Sequence, residues 1–138
     1  MKITTEKAVL VYRILNSARL VGEKMSDEAK FAIIRIVKAL KPIFVSYDDF
    51  LKDVSRRLRP DNFDGIESKL REGKPLNPEE QRIFMGYNSD VERCLREEFD
   101  KELELEIKPL DEDMMKGFIA SNDFAVSDIM TLYDMIGE

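Results

Sequence analysis

Eight apolar residues, Ile33, Val37, Leu40, Phe44, Tyr47, Leu51, Val54 and Leu58, follow one another at intervals of 4, 3, 4, 3, 4, 3 and 4. A 3.5-residue repeat is what a helix needs to lay one seam against a neighbour. Ile36, Ile43 and Phe50 flank the seam at seven-residue steps and widen it. Pro42 stands in the middle, and the repeat does not slip there. In this register the proline falls opposite the seam, where water can satisfy the carbonyl of Lys38 that loses its amide donor. The pattern predicts one bent helix from Asp27 to Leu58, about 48 Å long at 1.5 Å per residue. Ser26 is a suitable N-cap, Asp27 and Glu28 suit the positive end, and Arg56, Arg57 and Arg59 suit the negative end before Pro60. The competing reading breaks the helix at Lys41, because proline disfavours helical backbone in the residue before it.

The other segments are shorter. A first helix is expected from Thr5 to Val21, capped by Thr4 or Thr5, with Ala8, Val11, Tyr12, Leu15 and Ala18 as its stripe. The brief link GEKM (22–25) makes it a natural antiparallel partner of the long helix. Residues 60–77 read as an excursion between helices, turn-rich, with one short amphipathic helix through Ile66 and Leu70 that Gly73 and Pro75 end. Asn77, Pro78 and Glu80 form a strong start signal for a third long helix carrying Phe84, Tyr87, Val91 and Phe99. In ELELEIKPL the period changes to two, which points to a strand over 102–108 that pairs with MKIT (1–4); a frayed helix end is the alternative. Two short helices follow, one capped by Asp111 and one stopped by Gly137. The expected class is mainly α: one domain over 1–138, an antiparallel bundle of three long helices with short C-terminal helices and a minor two-stranded element.

Composition limits the chemistry. The chain has no histidine and one cysteine, Cys94. Serine–histidine and cysteine–histidine pairs and Cys/His zinc sites are therefore excluded, and so is an intramolecular disulfide. The longest apolar runs fall far below the roughly 20 residues that span a bilayer, and Glu6, Lys7 and Arg13 interrupt any leader-like core. A cytoplasmic chain that needs no cofactor is the expectation. Charge is uneven: residues 97–138 hold 13 acidic residues against three lysines, whereas residues 1–96 carry a net charge of +4. Such an acidic end either folds back on the rest or faces a basic partner.

The segments MSDEAKFAIIRIVKALKPIFVSYDDFLKD and IKPLDEDMM…IMTLYDMI resemble small helical proteins encoded in bacteriophages and prophages. The likeness covers about half of the chain, and the stretch 60–80 looks like an insertion relative to the shortest such proteins. It implies a helical fold and a phage-like setting; that family has no established activity, so no reaction follows from it.

Four sets of residues bear on function. Glu97, Glu98 and Glu102 with Asp111 are the nearest approach to the magnesium-binding glutamates of all-α nucleotide pyrophosphohydrolases, though their spacing departs from that pattern. Asp48, Asp49 and Asp53 bear a superficial likeness to an aspartate-rich magnesium–diphosphate motif. Their spacing is one residue too long and the register turns Asp49 and Asp53 outward, so they read as a solvated face. Arg56, Arg57 and Arg59 form the one basic cluster and are the candidates for phosphate or nucleic acid; helix capping explains them as well, and overall acidity argues against nucleic acid. Met114, Met115, Met130 and Met135 crowd the last 25 residues, where they either fill core gaps or offer an adaptable contact surface. The leading expectation is a non-enzymatic interaction protein that binds itself or another protein. A magnesium-dependent phosphohydrolase is second and a nucleic-acid binder third.

Overall fold

The computed structural model describes residues 1–21 and 24–137, and the fold is mainly α. In chain order the elements are β1 (Lys2–Thr4), α1 (Thr5–Ser17), α2 (Asp27–Arg57), α3 (Phe63–Arg71), α4 (Pro78–Phe99), β2 (Glu102–Glu104), α5 (Glu112–Ala120) and α6 (Val126–Ile136). The chain divides into two compact units, Met1–Tyr47 with Asp100–Glu138, and Asp48–Phe99. Gly22 and Glu23, the first half of the GEKM link, lie outside the described residues.

Pro42 does not end the helix. α2 runs through it for 31 residues, and the proline is exposed. Every seam position is buried or half-buried, with Ile33, Leu40, Tyr47 and Val54 buried. Ser26 Oγ accepts the Ala29 amide at 3.1 Å, which caps the helix as its sequence indicates.

In the first unit, Ala8, Val11, Tyr12 and Leu15 of α1 share one core with Ala29, Ile33, Ile36 and Leu40 of α2. Met115 and Phe118 of α5 and Leu132, Met135 and Ile136 of α6 complete it. Tyr12 stacks on Phe44 at 4.6 Å between ring centroids, and the Arg13 guanidinium lies 5.7 Å from the same ring. The strand reading is correct: β1 and β2 pair antiparallel, Lys2 opposite Glu104, Ile3 opposite Leu103 and Thr4 opposite Glu102. The ladder is shorter than the alternation suggests. Beyond it the Leu105 amide still donates to the Met1 carbonyl and the Met1 amino group to the Leu105 carbonyl, each at 2.9 Å, and Leu105 and Ile107 pack half-buried against the core.

α1 stops at Ser17, four residues short of the expected Val21. The cause is a partner distant in sequence. Asn122 accepts the Arg19 amide on Oδ1 at 2.6 Å and donates Nδ2 to the Arg19 carbonyl at 3.0 Å, so the backbone there is hydrogen-bonded outside the helix.

Gly117 shows a second close approach. A Cβ added to it would lie 2.5 Å from the Lys24 carbonyl oxygen, so α5 sits against that turn only because the residue has no side chain. A Cβ on Gly86 in α4 would meet nothing within 4 Å. Helix propensity alone makes both Gly→Ala changes favourable, but packing reverses one of them. Gly117→Ala should destabilise by about 1–3 kcal/mol, whereas Gly86→Ala should stabilise by up to about 1 kcal/mol. Thermal melts of the two variants will show opposite shifts; two rises would mean that the turn at Lys24 does not press on α5.

The second unit is built from the end of α2 with α3 and α4. Val54, Phe63 and Ile66 are buried; Phe63 meets Tyr87 at 4.8 Å and Phe84 at 6.4 Å. The Tyr87 hydroxyl donates to the Ser55 carbonyl at 2.9 Å. Asn77 and Glu80 form the reciprocal cap that their spacing predicts, at 2.8 and 3.1 Å. Residues 60–77 thus carry an ordered helix, closed by Gly73 in the left-handed conformation with φ 71°. α4 lies in this unit and buries no residue fully. Its half-buried stripe of Phe84, Tyr87 and Val91 is narrow, and polar residues take the remaining faces.

Candidate interaction surfaces

The seam occupies one side of α2, and the opposite side carries an apolar row of its own. Phe31 is 59% exposed, Ile34 38% and Val45 44%. With Lys38, Lys41 and Pro42 they recur at helical spacing, so they lie together on the outward side over about 21 Å. Residues 29–47 contain Lys30, Arg35, Lys38 and Lys41 and no acidic residue. Lys30 approaches Asp27 at 3.9 Å, while Arg35, Lys38 and Lys41 form no ion pair among the described residues. Pro42 belongs to this face, where it removes an amide donor and leaves the Lys38 carbonyl to water.

A second apolar row lies on α6. Val126 is 73% exposed and Met130 64%, four residues apart, and Asp134 follows at the same interval, 3.8 Å from Lys7. Residues 117–137 contain no lysine or arginine and hold Asp123, Asp128 and Asp134. The four methionine candidates therefore separate. Met115 and Met135 are core residues and present no contact surface, Met114 is half-buried, and Met130 alone of the four projects into solvent. Adjacent positions on one helix differ so sharply because the core takes only one side of α5 and α6.

A cleft of about 340 Å³ opens between α2 and the 106–114 segment. Ala32 and Ala39, one heptad apart, leave the space that larger side chains would fill against Ile107 and Pro109. Its rim mixes Arg35 and Lys108 with Glu28 and Glu106, so opposite charges offset one another and no nucleophile with its base converges there.

The other candidate sets are dispersed or already engaged. Among the described residues no group of three or more metal-ligating side chains is close enough to hold an ion. Glu97 and Glu98 end α4 in one unit; Glu102 lies in β2 and Asp111 caps α5, accepting the Met114 amide at 2.8 Å, in the other. Asp48 accepts the Lys52 ammonium at 2.9 Å, which raises the lysine's pKa. Arg56 pairs with Asp53 at 3.0 Å, and Arg57 is exposed. Arg59 is an anchor: it donates to both Glu67 oxygens at 2.6 and 2.9 Å and to Asp64, and lies 5.2 Å from the Phe63 ring. These bonds push its pKa upward and hold Glu67 below the usual carboxylate range. Cys94 is half-buried. No described helix is long and apolar enough to cross a membrane.

Glu80 is likewise held below the usual range, first by the Lys69 ammonium at 2.6 Å and then by the Asn77 amide. A carboxylate with a depressed folded pKa gives stability that is complete above the ordinary value, about 4.3, and lost as pH falls through the depressed one. Acidification below about 4.3 should therefore weaken the Asp48–Phe99 unit through Glu67 and Glu80. Melts between pH 6 and pH 3 will test this (about two carboxylate titration ranges). Removing both groups in Glu67→Gln/Glu80→Gln should flatten the fall, and an unchanged slope would show that the two bonds are not formed.

The chain matches no known protein family, no curated protein and no solved structure.

Proposed function

We propose that this chain is a non-enzymatic association module that acts by protein–protein contact, in a phage- or prophage-like setting and in the cytoplasm. The reading is carried by one observation: α2 turns Phe31, Ile34 and Val45 outward among three cations that are unpaired among the described residues, although its other side already fills a core. Soluble folds do not ordinarily keep an apolar row with single-sign charge on a helix already buried on the other side, and such rows mark contact surfaces. The phage-like setting rests on the resemblance of 25–53 and 107–136 alone. The phosphohydrolase reading has less support, since among the described residues no group of three or more metal-ligating side chains is close enough to hold an ion.

The test is the triple variant Phe31→Ser/Ile34→Ser/Val45→Ser. These exposed positions should change stability by about 1 kcal/mol or less, so circular dichroism should report an intact fold. The variant should lose both self-association and any partner that the unmodified chain retains on a column. Binding that survives the three changes would overturn the reading.

A further inference from the structure

We infer that the outward side of α2 receives an acidic, amphipathic helix of a different protein, one of whose apolar residues enters the cleft beside it. This rests on the association reading and gives the chemistry of its partner. Two observations meet on this face. One is charge: Arg35, Lys38 and Lys41 are exposed, form no ion pair among the described residues and stand in an acid-free stretch, although the whole chain carries a net charge of −6. A partner that covers them has to be anionic there, because like charges repel across an interface. The other is shape. The cleft of about 340 Å³ opens along the same helix and shares Arg35 with the exposed row, and Ala32 and Ala39 leave room in it for a large apolar side chain against Ile107, Pro109 and Met114. An apolar row beside a pocket is the kind of surface on which an amphipathic helix docks.

The arrangement favours a helix over an anionic membrane or a nucleic acid. Lys38 lies between Ile34 and Val45 along the row, among the apolar side chains and not at their margin. A lipid surface takes an unbroken apolar stripe with its cations at the edges. A partner helix can instead set one carboxylate opposite Lys38 and apolar residues on either side of it. A phosphate backbone offers Phe31, Ile34 and Val45 nothing apolar to cover them. The acid-free stretch lies between Glu28 and Asp48 and spans about 28 Å as a helix, which sets the length of partner that avoids like charges at its ends.

A displayed library of random peptides of about 20 residues, selected on the full chain, tests this. The selected peptides should carry Glu or Asp at three- or four-residue intervals with a large apolar residue, and should gain helicity on binding. Selection on Lys38→Glu/Lys41→Glu, two exposed changes that should leave the melting temperature unchanged, should instead yield peptides rich in Lys or Arg. A synthesised acidic peptide from the first selection should bind that variant about tenfold or more weakly. It should also lose affinity as salt shortens the reach of charge to about 3 Å at 1 M. Ala39→Leu, which fills the cleft, should weaken the same peptide, and the charge variant, which leaves the cleft untouched, decides the case if that substitution disturbs the fold. Selected peptides without acids would overturn the inference. So would full affinity in a folded Ala39→Leu, or sedimentation of the chain with phosphatidylglycerol vesicles that Lys38→Glu/Lys41→Glu abolishes. Acid-free peptides that Phe31→Ser/Ile34→Ser/Val45→Ser no longer binds would leave the association reading standing, whereas acidic peptides that this triple variant still binds would overturn both.

Discussion

Phe118→Ala is expected to lower the unfolding free energy by about 3–5 kcal/mol, the largest effect of any single change considered. The ring is wholly buried in the core of the first unit, one turn from buried Met115 on α5, and meets Phe124 at 5.2 Å in a tilted pair. Its removal takes away transfer energy and leaves a void between helices that cannot all move inward, because α1, α2 and α6 contribute to the same cluster. Next to it, Gly117 already touches the turn at Lys24, so α5 has little freedom to slide into the gap. Urea unfolding followed by circular dichroism provides the number. A loss below about 1 kcal/mol would contradict tight packing at this point.

Pro42→Ala should do the opposite and stabilise the chain by about 2 kcal/mol, the balance of two opposing effects. An interior proline costs a helix about 3 kcal/mol through its missing amide and its clash with the preceding turn. Up to about 1 kcal/mol of that is offset because proline also restricts the unfolded chain. Alanine restores a donor to the Lys38 carbonyl, and because the site is exposed no neighbour has to move. The sign of the shift is decisive: if the chain turned at Lys41, alanine would remove a useful constraint and lower the melting temperature. Since Pro42 lies on the same face as Phe31 and Val45 without supplying their apolar contact, the same variant should leave the proposed association unchanged.

The architecture was legible wherever a local pattern decides local structure. The 3.5-residue repeat predicts α2 through its proline, Asn77 and Glu80 predict their own cap, and the alternation of Leu103 with Glu102 and Glu104 predicts a strand. What the sequence hides is set by partners far along the chain. Asn122 ends α1 from 103 residues away, and no pattern near Ser17 announces it. Arg59 reads as a free cation until the structure shows Glu67 and Asp64 around it. Met115 and Met130 are chemically alike, and only the side that the core selects makes one inert and one available. The α2 surface had a signal of its own. Phe31, Ile34 and Val45 fall off the seam, and nineteen residues from Ala29 pass without an acid. A sliding count of charge set against the seam would have exposed it.

α2 is one continuous helix whose two long sides have different fates, and both the fold and the proposed association depend on that. Hydroxyl-radical footprinting of the dilute, unmodified chain reads it directly by mass spectrometry. Phe31, Ile34 and Val45 should label fast, and Ile33, Leu40 and Tyr47 slowly, with the same helical rhythm on both sides of residue 42. Equal labelling of the two sets, or a rhythm that changes phase at the proline, would contradict it.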